Sequence, residues 1–363
     1  MVSAATISLV LQKATQVATH SWEYGTVAEA LLEWNLNSYQ SSIWNNPFPN
    51  GKIPTLDQSS ISALSYIKPH ISTSGNTLVD GDGAAGDPAA LGIPALLIGK
   101  SDGKYWDAAV RQKNHLLNDV PRWSSGGAIS HREDHAELWA DFVYMVPPFL
   151  AYHGVATSDV GLLKEAARQC KLYHDVLEQQ SGPWIHIKSK TSSGNGVTND
   201  LALWSSGNGW AAAGMSRVLA TMRKSTYNSQ TTTEQGQLSG MIKDILDGAI
   251  SMDKDSSGLL RNYLNDTTWW GEISGTSLLA ATALRMAKLD PGNFGSKYVD
   301  WAAKKKGAVD GHIDTGSGIV SPAIDPLDWH NRSKYTKGSP EGQSFVVLMY
   351  AAWADLKGGF GRS

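Results

Sequence analysis

Residues 158–179 read SDVGLLKEAARQCKLYHDVLEQ, in which apolar side chains recur every three or four positions. This spacing gathers the apolar side chains on one face of an α-helix and leaves the charged ones on the other. Alternating strand patterns joined by tight hairpin turns are scarce. The sequence therefore predicts an all-α fold of ten or eleven helices, the clearest near residues 26–40, 59–68, 87–98, 104–118, 135–146, 158–179, 208–223, 234–252, 272–288, 296–306 and 342–356.

The connections between these segments predict their arrangement. Loops rich in Gly, Ser and Asp separate successive helices, which would form αα-hairpins. Six hairpins closed in a ring need about twelve helices, close to the predicted number. No exact short repeat indicates a regular solenoid, which favours a closed toroid. No Pro- or Ser-rich linker divides the chain, so we expect a single domain over residues 1–363.

Charge and hydropathy exclude several classes of protein. The chain of 363 residues has a net charge of −3 and no dominant basic block, which argues against a nucleic-acid partner. No run of about 18 apolar residues predicts a membrane span. Residues 1–20 lack the basic start and long apolar core of a signal peptide, so we expect a cytoplasmic enzyme. A secreted protein whose leader has been removed would have the same sequence.

Asp141 is the first candidate for catalysis. It lies in residues 135–152, HAELWADFVYMVPPFLAY, whose other side chains are mainly apolar or aromatic. We predict a helix that ends at Pro147-Pro148 and carries Glu137, Asp141 and Met145 on one face. Asp141 is either an exposed or capping acid, or a buried carboxyl whose pKa is raised enough to donate a proton.

A second carboxyl is expected from the Gly-rich loop at residues 72–87, STSGNTLVDGDGAAGD. If two neighbouring carboxyls both ionised, their charges would repel each other. One of them therefore remains protonated and can act as an acid. We expect Asp80 or Asp82 to be that partner, with Asp87 in the same loop. The alternative is that these side chains only form turns with the local backbone.

Other loops combine aromatic and polar side chains. The chain has 14 Trp residues, whose flat faces suit stacking on sugar rings as well as core packing. His131 and His135 lie four residues apart, but Arg132 between them would repel a cation. We therefore predict no metal site and no cofactor.

Several of these stretches together resemble a known family. They are DGDGAAGDPAAL (80–91), PRWSSGGAISHR (121–132), ELWADFVYMVPPFLAYHG (137–154), LWSSGNGWAAAGMSRVL (203–219), GEISGTSLLAATAL (271–284) and SPEGQSFVVLMYAAW (339–353). In this order they resemble the unsaturated uronyl hydrolases of glycoside hydrolase families 88 and 105, with family 105, the unsaturated rhamnogalacturonyl hydrolase type, the closer match. The resemblance implies an (α/α)6 barrel. It also implies removal of a 4,5-unsaturated uronic acid from oligosaccharides made by a polysaccharide lyase, through hydration of the vinyl ether.

The resemblance also implies roles for residues. Asp141 corresponds to the acid and base of the reaction, and the second family acid falls near Asp80 and Asp82. The oligosaccharide substrate is the only partner expected. Together with the loop composition, the resemblance predicts substrate contacts from His131, Arg132, His135, Trp139, Met145, His186, Trp204, Asn208, Trp210 and Trp270.

One position departs from the family pattern. Ser206 stands where the motif W-G-R-G-N-G-W has an Arg, which would pair with a substrate carboxylate. Either Arg132 or Arg261 substitutes for it, or the accepted sugar differs. Two alternatives therefore stay open: an inverting glycosidase that uses Asp141 with Asp82 or Glu272 on saturated sugars, and a sugar-binding relative without activity.

Overall fold

The computed structural model describes residues 2–179, 182–191, 194 and 196–358. Within them the α-helices are α1 (Ala4–Val17), α2 (Ser21–Trp34), α3 (Leu36–Tyr39), α4 (Ser62–Ile67), α5 (Gly92–Gly99), α6 (Gly103–Asn118), α7 (Phe142–Thr157), α8 (Val160–Leu177), α9 (Ser205–Lys224), α10 (Thr232–Met252), α11 (Ile273–Leu289), α12 (Ser296–Asp310) and α13 (Pro340–Lys357). Two short antiparallel pairs join β1 (Glu137–Trp139) to β2 (Ile187–Ser189) and β3 (Leu260–Arg261) to β4 (Gly271–Glu272). None of the described helices is both long and apolar enough to cross a membrane.

Burial divides the helices into an inner and an outer set. Helices α2, α7, α9, α11 and α13 are buried along most of their length and on nearly every side. A 3-10 turn at Asp87–Leu91, continued by the apolar helix α5, completes this inner set. Helices α1, α6, α8, α10 and α12 bury only a stripe at three- and four-residue spacing. The stripe is what the apolar period of an outer helix predicts.

The inner helices form a closed ring. Each packs against the next, and α13 packs back against α2. The outer helix α4 packs against α2, and α6, α8, α10 and α12 pack against α5, α7, α9 and α11, while α1 packs against α13. This arrangement of six hairpins confirms the predicted all-α toroid, an (α/α)6 barrel.

The segment around Asp141 differs from its prediction. Residues 137–139 form strand β1 rather than a helix, so Glu137 does not share a helical face with Asp141. Helix α7 then runs through Pro147-Pro148 instead of ending there. The two prolines remove two N–H donors from the helix, but α7 is an inner helix whose packing on both neighbours holds it in place.

The first helix was not among the predicted segments. Residues 4–17 form α1, whose buried stripe includes Ile7, Val10 and Leu11. Ser3 caps it by accepting a hydrogen bond from the Thr6 amide at 3.1 Å. This stretch lacks the features of a signal peptide, but its apolar period forms the outer helix that packs on α13.

The contact between α7 and α9 depends on a glycine. Pro147 leaves the Val143 carbonyl without its usual helical N–H donor, and Gly214 of α9 lies directly against that carbonyl. A Cβ atom at residue 214 would overlap the Val143 carbonyl oxygen and approach the backbone of Tyr144. Two inner helices can therefore approach this closely only because residue 214 has no side chain.

We expect Gly214→Ala to lower the free energy of unfolding by about 1–3 kcal/mol, because the added methyl group meets backbone that cannot move aside. Gly240→Ala is the matched control, since Gly240 lies on the exposed side of α10 with open space around it. The control should be neutral or stabilising by about 0.5–1 kcal/mol. Denaturant unfolding of both variants measures the difference, and equal stabilities would contradict the role assigned to Gly214.

Candidate active site

A cleft opens where the inner helices begin. His20 precedes α2, Asp141 precedes α7, Trp204 precedes α9 and Glu341 lies in the first turn of α13. All four line one cavity of about 190 Å³. The full lining comprises His20, Trp22, Gly81, Asp82, Ala84, Asp87, His131, Arg132, Trp139, Asp141, Met145, His186, Trp204, Pro326, Leu327, Trp329 and Glu341.

A short backbone ladder positions the centre of the site. In it, Trp139 of β1 pairs with Ile187 of β2, and Ile187 exchanges two hydrogen bonds with Asp200 at 2.9 and 3.0 Å. The Ala140 amide donates to the His186 carbonyl at 2.9 Å. Because these bonds fix the backbone on both sides, Asp141, His186 and Asp200 form a row.

His186 lies between two carboxylates. Its Nδ1 is 3.0 Å from Asp200 Oδ2, within hydrogen-bond distance, and its Nε2 is 3.2 Å from Asp141 Oδ2. The second pair is close enough for an ion pair but is not aligned as a hydrogen bond, and both atoms are buried without another hydrogen-bond partner. Asp141 therefore keeps one oxygen that is poised toward His186 and not committed to the fold.

Asp87 is the second carboxyl near Asp141. The Ala85 amide donates to the His131 carbonyl at 2.7 Å, and Gly86 packs against the His131 ring, where a Cβ atom would overlap it. These contacts turn Asp87 inward, with Oδ1 3.7 Å from His131 Nε2. Burial and the neighbouring Asp141 raise the pKa of Asp87 to about 8, although Arg132 opposes this rise. Asp87 is therefore protonated at neutral pH.

His131 and Trp139 form one wall of the cleft. Their rings are stacked with centroids 4.8 Å apart. Burial lowers the pKa of His131 to about 3 despite the opposing effect of Asp141, so its imidazole is neutral at the pH of a cell. A neutral stacked pair offers a flat aromatic surface and a ring nitrogen, which together suit contact with a sugar.

Glu341 and Trp22 lie on another wall. The Trp22 indole N–H donates to Glu341 Oε1 at 3.1 Å, whereas Glu341 Oε2 is buried with no hydrogen-bond partner. Burial and the nearby Asp141 raise the pKa of Glu341 well above its usual range. The cleft therefore contains a third carboxyl that the fold leaves partly unsatisfied.

Only one of the two arginines proposed to replace the family Arg faces the cleft. Arg132 lines it, and its guanidinium packs against Gly83. No ion pair with an acid within 4 Å joins Arg132 to the described residues. Arg261 Nε, by contrast, lies 3.2 Å from Asp255 Oδ2 and is outside the cleft lining. Arg132 is thus the cation available to a bound anion.

Eight of the thirteen predicted site residues line the cleft. The structure brings together Asp82, His131, Arg132, Trp139, Asp141, Met145, His186 and Trp204. Asp82 lies at the exposed edge of the cavity with a positive φ of 50°. It is therefore a rim residue rather than the buried partner of Asp141.

The other five lie elsewhere, which corrects their assignment. Asp80 is exposed and accepts a hydrogen bond from the Asp82 amide at 2.9 Å. This is the local turn that the sequence allowed as the alternative to a catalytic role. Asn208 is buried and bonds the backbone of Trp184 and Trp204. Trp210 is fully buried between Tyr144 and Phe345.

His135 and Trp270 are also used locally. His135 contacts Asp134 and Glu137, at 2.7 and 3.1 Å. The Trp270 indole N–H donates to the Arg332 carbonyl at 3.0 Å, away from the cleft. In both cases a neighbouring residue satisfies the polar group that was expected to meet substrate.

Four candidate functional residues were not predicted from the sequence. Trp22, Trp329 and Glu341 line the cleft, and Asp200 supports His186. Trp329 was detectable only as an aromatic residue in a polar loop, DPLDWHNR, and Glu341 as an acid in a first helical turn. Asp87 was predicted only as a member of its loop, and Asp80 and Asp82 were preferred to it. Of these three acids, Asp87 is the one that is buried.

Two further points concern ligands of the site. Among the described residues, no group of three or more His, Cys, Asp or Glu side chains is arranged to hold a metal ion. Glu272, the other acid considered for an inverting mechanism, caps α11 by accepting from the Ser274 and Gly275 amides at 2.5 Å each. Glu272 is therefore occupied by the fold.

The raised pKa of Asp87 predicts a pH-dependent stability. The unfolded chain ionises this carboxyl near pH 4, whereas the folded chain resists ionisation up to about pH 8. Asp87 therefore costs no stability below about pH 4 and destabilises the fold progressively as pH rises from 4 to about 8, above which the loss levels off. Between pH 6 and 9.5 we expect wild type to lose about 2.5–3 kcal/mol relative to Asp87→Asn, nearly all of it below about pH 8.

Denaturant unfolding at the two pH values measures this difference. Other buried acids such as Glu33, whose pKa is raised to about 8, are present in both proteins and cancel. Asp82→Asn, an exposed carboxyl from the same loop, serves as control and should follow wild type. A parallel response of wild type and Asp87→Asn would show that Asp87 is not buried as described.

Comparisons with known proteins agree with the fold and identify the family. The solved structure of a possible member of the GH105 family from Salmonella enterica serovar Paratyphi A matches with a TM-score of 0.72 and 18% identity over 96% of this chain and 93% of that one. A family 105 glycoside hydrolase from C. acetobutylicum matches with a TM-score of 0.73 and 14% identity over 96% and 99%. An unsaturated glucuronyl hydrolase specific for heparin matches with a TM-score of 0.62 and 11% identity over 99% and 98%.

A search of curated proteins gives no significant match. The family itself is established by sequence, because residues 61–351 match the profile of Glycosyl Hydrolase Family 88. This range includes α4 through most of α13 and all four acids of the cleft lining, which are Asp82, Asp87, Asp141 and Glu341. The chain therefore belongs to Glycosyl Hydrolase Family 88 and is a glycoside hydrolase.

Proposed function

We propose that this enzyme removes a 4,5-unsaturated uronic acid, glucuronyl or galacturonyl, from the non-reducing end of lyase-generated oligosaccharides. The observation that carries the proposal is the pair of carboxyls at Asp87 and Asp141, set in an aromatic cleft beside the unpaired cation of Arg132. Family membership supports the reaction class, and the likeness to an unsaturated glucuronyl hydrolase is consistent with the substrate class.

Hydration of a vinyl ether needs one proton delivered and one removed. The carboxyl pair gives a proton to one carbon of the double bond, while the oxygen of a water molecule bonds to the other carbon. The water returns its second proton to the pair, which is thereby regenerated. The resulting hemiketal rearranges and releases the neighbouring sugar. Asp141 is the residue we assign to proton transfer, because it lines the cleft and its contact with His186 at 3.2 Å is not aligned as a hydrogen bond.

Asp87 supports this step because its raised pKa keeps one proton on the pair, which Asp141 delivers and recovers. An ionised carboxylate at each position would repel the other and would repel an anionic sugar. With Asp87 neutral, the pair holds one exchangeable proton near neutral pH, which is the condition that general acid catalysis requires. Asp87 can also donate a hydrogen bond to the sugar in this state.

Arg132 gives the cleft an attraction for the substrate carboxylate. A guanidinium can donate two parallel hydrogen bonds to a carboxylate. The starts of α2, α7, α9 and α13 also point their positive ends toward the cleft, which favours an anion. Arg132 thus takes the role that Ser206 cannot supply in this chain.

A saturated sugar is the alternative substrate. An inverting glycosidase needs two acids about 6.5–9.5 Å apart, and Asp82 on the rim supplies a second acid that faces the same cavity as Asp141. Asp82 is exposed, however, whereas Asp87 is buried with a raised pKa. The environment of Asp87 favours the vinyl-ether reaction.

The first test is a panel of unsaturated disaccharides made by lyases that cleave rhamnogalacturonan, glucuronan, arabinogalactan and heparin. We expect loss of the ultraviolet absorbance of the 4,5-unsaturated uronate with at least one member. Asp141→Asn should lower kcat by about 100-fold or more, because the proton-transferring group is lost. Asp175→Asn on the exposed face of α8 is the control and should retain wild-type turnover.

An unchanged absorbance across the whole panel, with wild-type protein that hydrolyses the saturated counterparts, would replace the proposal with the inverting alternative. Oligosaccharide binding with no product from either set would instead indicate the inactive relative. Near-normal turnover by Asp141→Asn would leave the reaction intact but remove the assigned role of Asp141.

Arg132→Met should raise KM for the preferred disaccharide by about 10- to 100-fold, since a hydrogen-bonded charge contributes about 1.5–3 kcal/mol. Arg261→Met makes the same chemical change at a guanidinium that is paired with Asp255 outside the cleft. Steady-state kinetics of the two variants should differ in KM. Equal KM values would show that Arg132 does not hold the substrate carboxylate.

A further inference from the structure

The Asp200 carboxylate gathers three donors on one oxygen. Its Oδ2 accepts from the Tyr263 hydroxyl at 2.7 Å and from the Trp329 indole N–H at 3.0 Å, and it lies 3.0 Å from His186 Nδ1. Asp200 is 4% exposed and is not part of the cleft lining. A buried carboxylate that serves three side chains in this way must be held for a purpose beyond contact with substrate.

The backbone of Asp200 makes the ladder hydrogen bonds at this position, and its other carboxylate oxygen, Oδ1, accepts from the Ala202 amide at 3.1 Å. Its N–H and C=O pair with Ile187 and continue the ladder from β1 and β2. A side chain of any type would permit those two hydrogen bonds. The carboxylate is therefore an addition to the ladder rather than a requirement of it.

The consequence of the carboxylate falls on His186. Because a carboxylate can only accept, His186 must carry a proton on Nδ1, and Nε2 is left facing Asp141. Asp200 thus fixes both the orientation of the ring and the nitrogen that it presents to the cleft. Without Asp200 the ring could place its proton on either nitrogen.

The charged groups around His186 favour a protonated imidazole ring. Asp141 and Asp200 face its two nitrogens, the neutral His131 lies nearby, and His330 Nε2 is 4.0 Å from Asp200 Oδ2. Burial alone would lower the pKa of His186, but the two carboxylates outweigh it and raise that pKa above 6.5.

Asp200 itself is held ionised. Burial opposes its charge, but the hydrogen bonds from His186 and Tyr263 outweigh that effect and lower the pKa of Asp200. Burial and the bond to Asp200 raise the pKa of Tyr263, which stays protonated and continues to donate. The acceptor on which the position of His186 depends is therefore present at every physiological pH.

Trp329 connects the same carboxylate to the wall of the cleft. Its ring meets Trp139 and His186 edge to face, with centroids 5.6 and 5.0 Å apart. Trp329 belongs to the 325–335 loop, which also contributes Pro326 and Leu327 to the cleft lining. One oxygen of Asp200 thus sets the place of a wall residue and the orientation of His186.

We propose that Asp200 is a positioning residue, which acts on Asp141 through His186 by holding the imidazole proton on Nδ1 and Nε2 toward the Asp141 carboxyl. The effect on turnover rests on the function proposed above, whereas the effect on His186 does not. Asp200→Asn is the informative variant, because the amide keeps the size of the side chain and can still accept from Tyr263 and Trp329 but has no charge.

The first measurement is made on His186 itself. Imidazole nitrogen shifts of protein labelled with isotopic histidine report the tautomer and pKa of each of the ten histidines, and His186→Gln assigns the signal. We expect Asp200→Asn to lower the pKa of His186 and to reduce the population protonated on Nδ1. Asp175→Asn on α8 serves as the control and should leave both unchanged.

The second measurement is kinetic. With the preferred unsaturated disaccharide, Asp200→Asn should lower kcat by about 10- to 100-fold, part of the contribution expected of a proton-transfer group, with KM changed less than about threefold. In a His186→Gln background, Asp200→Asn should add no more than about twofold, because its effect passes through the missing ring.

These results separate the possible failures. If wild type is inactive on the panel, the proposed function fails while the nitrogen shifts still test the action of Asp200 on His186. An unchanged His186 signal in Asp200→Asn would overturn the inference even if activity fell. A rise in KM alone, or a full additional effect in the His186→Gln background, would assign Asp200 to loop structure instead.

Discussion

The structure depends on one constraint, which is that the inner helices are surrounded by protein on nearly every side. A charge placed along them has to find a partner inside the ring, as Glu29 does with Arg217 at 2.8 Å and Glu33 with Arg285 at 2.5 Å. At the helix starts this requirement is relaxed, because the cleft is open. Asp87, Asp141 and Glu341 collect there, with no Arg or Lys of the described residues in an ion pair with them, and a ligand can complete what the fold leaves unsatisfied.

The same constraint explains the balance of charge in the cleft. Three carboxyls around one small cavity would be unfavourable if all were ionised. Burial resolves the conflict by keeping Asp87 protonated near neutral pH and by raising the pKa of Glu341 well above its usual range. In the function we propose, the proton held by Asp87 and Asp141 is also the one that acid catalysis uses. In the same proposal, Arg132 provides the positive charge for an anionic sugar without cancelling a carboxylate of the enzyme.

The sequence predicted the helices well where their apolar period was undisturbed, and Asp141 stood out because an acid interrupted an apolar run. The prediction was wrong where tertiary packing overrides local preference. Helix α7, for example, continues through Pro147 and Pro148 because it is packed inside the ring. Trp210 and Asn208 were placed in the site because their motif begins a helix, but that helix is an inner one and buries them. Asp200 and Trp329 are 129 residues apart, and no local pattern relates them.

The closure of the ring by its last helix also has a consequence for biosynthesis. Helix α13 packs against α1 and α2 and brings Glu341 to the cleft. A ribosome must therefore release residues 340–357 before the apolar side of α2 that faces α13 is covered and before the cavity has its final wall. Until then the nascent chain is an open arc of hairpins, whose exposed apolar inner surface makes it prone to aggregation.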